Sequence, residues 1–186
     1  MKMSSAERAQ MMLHAPVSRI IPKLAIPTII SMLITSIYNM ADTYFVSQIS
    51  TSASGAVGVV FSVMGVIQAI SFTIGMGSGA PVSQALGSGK QEEARTLANV
   101  GFFTALMMGV GILILGNMFI DPIVGFLGAT ETIAPHAKAY ASYIFYAAPF
   151  MMCSFVMNNH LRFQGLATYG MLGITTGGIL NMILDS

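Results

Sequence analysis

The stretch IPKLAIPTIISMLITSIYNMADTYFVSQI, residues 21–49, decides the fold. After Lys23 it holds one charged side chain, Asp42, and the next charge along the chain is Lys90. A bilayer core of about 30 Å asks for about 20 apolar residues in helical form, and this stretch supplies them. Four further apolar runs follow. The expected helices cover about 20–49, 55–86, 94–120, 133–161 and 169–186. Between them lie STSASGA, GSGKQEE, DPIVGFLGATET and RFQGLATYG, rich in the Gly, Ser, Pro and charged residues that punctuate helices.

Composition agrees. Of 186 residues, 54% are hydrophobic and 8% charged, against about 25% charged in soluble domains, and the mean hydropathy is +0.74. The expected class is all-α integral membrane, a cytoplasmic segment 1–19 followed by a transmembrane lobe over 20–186. A net charge of +1 with no clustered basic patch excludes a nucleic-acid partner. Cys153 is the sole cysteine, so no intrachain disulfide forms.

Lys2, Arg8, Arg19, Lys23, Lys90, Arg95 and Arg162 fall on one side of a five-helix zigzag, and only Lys138 on the other. By the positive-inside bias the N-terminus is cytoplasmic and the fifth helix ends outside, in the cytoplasmic membrane of a multi-pass protein. Gly87 and Gly89 suit the end of the second helix, and Glu92 and Glu93 the first turn of the third, where the helix dipole favours negative charge. Gly75-x-x-x-Gly79 and Gly173-x-x-x-Gly177 have the spacing of close helix packing. Pro27, Pro81 and Pro149 sit inside apolar runs, where proline kinks a helix. Pro27 is the hinge candidate because it shares a helix with Asp42.

A charge at the bilayer centre costs about 2.5 to 3.5 kcal/mol on insertion scales, so an intramembrane acid faces a protein interior or a water-filled cavity. Asp42 lies 19 residues beyond Lys23, about 28 Å along a helix, in the outer half of the membrane. Asp185 follows a charge-free stretch on a helix of the same direction, so the two carboxylates share a depth. Asn181 precedes Asp185 by one turn, and Tyr38 and Asn39 precede Asp42 by one turn. These oxygens suit Na⁺ or a shared proton. Each acid alone would also serve as a helix-pairing polar group.

Other motifs fail on context. GMGSG at Gly75 lies within a membrane run, and GSGK at Gly87 is followed by Gln91 where a phosphate-binding loop needs Ser or Thr. His14, His136 and His160 are scattered without metal-ligand spacing and read as ordinary polar or interfacial histidines. Two intramembrane aspartates could form an aspartyl protease dyad, but neither stands in Gly-x-Gly-Asp, so the chain reads as no enzyme.

The first helix, the block GMGSGAPVSQALGSGKQEEA, the fourth-helix end NNHLRFQG and GGILNMILD together resemble the multidrug and toxic compound extrusion (MATE) family, in its DinF-like prokaryotic branch. The resemblance spans nearly the whole chain from Ile20. It implies a coupling-cation site at Asp42, Asn181 and Asp185, with Asn158 and Tyr140 lining the cavity. It implies export of bulky cationic or amphipathic drugs and xenobiotics in exchange for H⁺ or Na⁺, with no cofactor. The family fold implied has twelve helices in two six-helix bundles. The chain ends one residue after Asp185, ahead of a sixth helix, so the partners expected are small-molecule substrates, membrane lipids and a missing C-terminal lobe. Two alternatives stand beside this. A lipid-precursor flippase would line its cavity with basic residues, and no Lys or Arg is expected inside a helix; a non-transporting fragment or scaffold is the other.

Overall fold

The computed structural model describes residues 16–49 and 51–184; the side chains of 38, 41, 42, 45–49, 51–53 and 181–184 lie outside that description. Six helices follow in order: α1 Val17–Ile49, α2 Thr51–Gly87, α3 Gln91–Met118, α4 Ile120–Phe126, α5 Ala134–Phe163 and α6 Ala167–Leu184. No strand occurs among the described residues, so the fold is all-α. Among the described residues, four segments are long and apolar enough to cross a membrane: Val17–Ile37, Ser54–Gly87, Gln91–Met118 and Ala134–Phe163. α6, which carries most of the fifth expected run, has 18 residues, about 27 Å of helix.

Two connections differ from expectation. STSASGA is helical from Thr51 onward, because Ser and Thr cost only fractions of a kcal/mol in a helix and Gly55 alone does not stop one. DPIVGFLGATET contains α4. Pro122 falls in its first turn, where no backbone donor is needed, Asp121 meets the dipole there, and Val124 is buried. Glycines end three helices in the left-handed region: Gly89 at φ 75°, Gly128 at φ 86° and Gly165 at φ 73°. At Gly89 and Gly165 the following amides, of Lys90 and Leu166, reach back to the carbonyls of Ala85 (2.9 Å) and Leu161 (2.7 Å). This closure returns the chain on itself.

The helices run unbroken through Pro27, Pro81 and Pro149. In α1 hydroxyls bond one turn back, Thr28 Oγ1 to the Leu24 carbonyl (2.9 Å) and Ser31 Oγ to the Pro27 carbonyl (2.8 Å). Such back-bonding satisfies a hydroxyl in apolar surroundings and loosens the helix beside a proline. Arg19, Lys23, Arg95, Lys138 and Arg162 all lie within helices. That corrects the expectation of none, although each lies within two turns of a helix end, where long stems extend toward the membrane surface.

α5 is the axis of the bundle. It buries Ala137, Ala141, Phe145, Ala148, Pro149, Met152, Cys153, Val156, Asn159 and His160. Lipid is as apolar as these side chains, so association rests on close packing and interhelical hydrogen bonds. Glycines provide the closeness. A Cβ added at Gly109 of α3 would stand 2.5 Å from Pro149 Cα, one at Gly116 2.5 Å from the Phe145 ring, and one at Gly75 of α2 2.9 Å from Asn159 Nδ2. Gly79 meets the Phe163 ring. The order of these contacts makes α5 parallel to α2 and antiparallel to α3. Gly173 and Gly177 differ: an added Cβ there meets nothing within 4 Å, so the packing expected of that pair is not formed among the described residues. α1 and α6 pack on each other and lie against α2 and α5.

Candidate functional site

The helix that carries Asp42 and the helix that carries Asn181 are packed neighbours, α1 and α6. The side chains of Tyr38, Asp42 and Asn181, and all of Asp185, lie outside the described residues. Asn39 is half-buried on α1, and its carbonyl accepts a hydrogen bond from Thr43 Oγ1 at 2.8 Å. Pro27 lies on the same unbroken helix as Asp42, about 22 Å before it, with the buried Ser31 hydroxyl on its carbonyl.

Tyr140 and Asn158 share a face of α5 because five helical turns separate them, about 27 Å. They therefore belong to opposite ends of the lobe. Tyr140 packs against the cluster of Ala56, Val60, Val124, Ala137, Ala141 and Phe145. Asn158 Nδ2 donates to the Gly170 carbonyl of α6 at 3.1 Å, and an added Cβ at Gly170 would stand 2.9 Å from that nitrogen. Glycine at 170 lets the amide reach backbone. Gly170 is about 16 Å along α6 from Asn181, so Asn158 ties α5 to the early turns of α6.

A polar node that the sequence reading missed lies at this end of α5. His160 is buried, 6% exposed, and its Nε2 is 2.7 Å from Ser78 Oγ of α2. That same oxygen is 2.7 Å from the Ile74 carbonyl. A serine has one proton and a carbonyl only accepts, so both contacts are hydrogen bonds when Ser78 donates to Ile74 and Nε2–H donates to Ser78. Gly101 of α3 completes the seat, an added Cβ there standing 2.5 Å from Ser78 Oγ and 3.1 Å from the imidazole Cε1. His160 is thus an interior residue of three helices, and the interfacial reading of it is corrected. The small residues Gly75, Gly79 and Gly101, spaced to admit a large residue from a neighbour, were the signal. His136 is exposed, and His14 lies outside the described residues. Among the described residues no three His, Cys, Asp or Glu side chains gather to hold a metal ion.

Two weaker polar ties complete the lobe. Ser142 Oγ of α5 donates to Asn117 Oδ1 of α3 at 2.8 Å, and Lys138 pairs with Asp121, joining α4 to α5 at an exposed position.

Long apolar helices packed through glycines, with polar groups joined across their interfaces, define a multi-pass membrane protein. The MatE family model matches residues 27–186, and the chain belongs to the MATE family of transporters, which are not enzymes. It is 29% identical over 174 residues to the FAD transporter of Shewanella oneidensis, covering 94% of this chain and 38% of that protein. It is 24% identical over 163 residues to the multidrug export protein MepA of Staphylococcus saprophyticus, covering 87% of this chain and 36% of that one. A solved outward-facing multidrug resistance MATE transporter of the MOP superfamily superposes with a TM-score of 0.90 at 29% identity, over 100% of this chain and 40% of that structure. The chain thus spans about two fifths of the length of these relatives and corresponds to their N-terminal lobe.

Proposed function

We propose that the protein exports bulky cationic or amphipathic compounds across the cytoplasmic membrane by alternating access, driven by H⁺ or Na⁺ entering. Asp42, Asn181 and Asp185 hold the coupling ion. The observation that supports this reading is the packing of α1 on α6, which makes neighbours of the helices bearing Asp42 and Asn181; Asp185 follows α6 in the sequence. Two carboxylates close together repel when both are ionised, so a proton or Na⁺ between them is favoured and its departure is felt by both helices. Ion arrival from outside neutralises the pair, α1 rearranges about Pro27, and cargo leaves outward while the lobes rock about the central site. The N-terminus faces the cytoplasm in this reading, which the uneven distribution of Lys and Arg between the connections supports. Each charge moved inward contributes about 2.3 kcal/mol per 100 mV of membrane potential.

The test is Asp42→Asn in the complete product of the gene, reconstituted in proteoliposomes. Efflux coupled to an imposed H⁺ or Na⁺ gradient is expected to vanish while the melting temperature stays within a few degrees. Wild-type coupled efflux in that variant would overturn the site. FAD belongs in the same assay as competing cargo, because the FAD transporter is among the relatives.

A further inference from the structure

Of the six Lys and Arg side chains among the described residues, Arg19, Lys23, Lys90 and Arg95 are exposed and two are half-buried. Lys138 has Asp121 beside it. Arg162, in the last turn of α5, has neither an acid nor a hydrogen-bond acceptor for its guanidinium among the described residues. We propose that Arg162 holds the phosphate of an anionic phospholipid, drawn from the leaflet on the side of the N-terminus. The site goes beyond the exporter reading and does not depend on which ion drives it.

A cation taken partly out of water is costly unless an anion or several acceptors meet it. The planar fork of an arginine presents five N–H donors, a match for two oxygens of one phosphate. Its neighbours on α5 show where it stands. Phe155, seven residues earlier on the same face, pairs with Phe72 of α2, their ring centroids 5.4 Å apart. Asn158, four residues earlier, reaches Gly170 of α6. Arg162 therefore stands between α2 and α6, both of which pack on α5. The positive end of α6 is close by, because the Leu166 amide reaches back to the Leu161 carbonyl at 2.7 Å, and it adds to the attraction for an anion.

Depth selects a lipid over a soluble anion. The Phe163 ring meets Gly79 of α2, eight residues before that helix ends at Gly87, about 12 Å. The His160 imidazole meets Gly101 of α3, ten residues after that helix begins at Gln91, about 15 Å. The α2–α3 hairpin thus stands about 12 to 15 Å beyond the end of α5, with the exposed Lys90–Glu93 pair at its tip. One headgroup layer is about 5 to 8 Å deep. With the tip of the hairpin in water, the end of α5 is set back to the level of lipid phosphates. Tyr169, exposed in the first turn of α6, marks the same level, since tyrosines gather where hydrocarbon meets headgroups. Charge agrees with depth. At this end of the lobe the five cations other than Lys138 stand against Glu92 and Glu93 among the described residues, a field that draws anionic lipid.

The test uses the complete gene product in detergent, titrated with phosphatidylglycerol or phosphatidylcholine while native mass spectrometry counts the bound lipid. Wild type should hold one phosphatidylglycerol about tenfold more tightly than phosphatidylcholine. Arg162→Gln should lose that preference, Arg162→Lys should keep part of it, and Arg95→Gln, at an exposed position, should keep all of it. Equal affinity for the two lipids in wild type overturns the site, whether or not the Arg162 variants fold. So does an unchanged preference in Arg162→Gln, the result expected when an acid elsewhere in the complete protein meets the guanidinium. Inorganic phosphate separates the two sources of the same chemistry. If it raises the wild-type melting temperature as much as phosphatidylglycerol does, and Arg162→Gln abolishes both gains, the guanidinium takes a soluble anion and the lipid assignment falls. None of these measurements reads efflux, so failure of this site and failure of the Asp42 ion site are told apart.

Discussion

α5 and α1 are both long membrane helices, yet they are held in opposite ways. α5 buries ten side chains between α2 and α3, while among the described side chains of α1 only Ser31 is buried. In the α2–α3–α5 core, Gly79, Gly109 and Gly116 face backbone or rings at contact distance, and His160 joins α2 through Ser78. In the α1–α6 pair, Gly173 and Gly177 face open space, and the Asn158 tie from α5 reaches only the first turns of α6. Packing without a hydrophobic drive makes the closely seated interface the rigid one.

Substitutions separate the tight core from the loose pair. The largest effect is expected from Gly109→Leu, because the new side chain would meet Pro149 Cα and the Ala148 carbonyl, backbone atoms of the central helix that cannot rotate aside. A loss of more than about 3 kcal/mol, or no folded protein at all, should appear in thermal unfolding in detergent. Gly173→Leu, with open space before it, should change stability by less than about 0.5 kcal/mol; equal losses in the two would end the distinction between tight core and loose pair. A middle-sized effect is expected from Ser78→Ala, which leaves the buried His160 N–H without its acceptor and should cost about 1 to 2 kcal/mol. Asn158→Ala, which cuts the tie to α6, should cost about 0.6 kcal/mol in the same assay. The smallest belongs to Asp121→Asn. The pair with Lys138 is exposed, so its loss should cost no more than about 0.5 kcal/mol and should disappear at high salt.

Much of this was legible in the residues. The apolar runs announced membrane helices because hydrocarbon leaves backbone groups no partner but one another, and long charge-free segments follow from that rule. The helix ends at Gly89 and Gly165 were readable because a left-handed residue favours glycine. α4 was not, because a short helix in a polar connection depends on what Val124 packs against. Nor was the place of His160, since a histidine near the end of an apolar run is either wet or buried according to which helices surround it. Only the pairing of Gly101 on α3 with Ser78 on α2 makes this one an interior residue.

Composition and period alone indicated a helical membrane protein and singled out two acids, Asp42 and Asp185, as the exceptional charges of its apolar runs. Those are one-dimensional properties, set by the transfer energy of each residue and the rise of a helix. The tertiary structure decided which helices are neighbours: α5 as the axis, α1 on α6 and Asn158 on Gly170. In a membrane every helix face is apolar enough to be exposed, so hydrophobicity cannot choose the interface. Shape does, through small residues on one helix admitting large ones from the next.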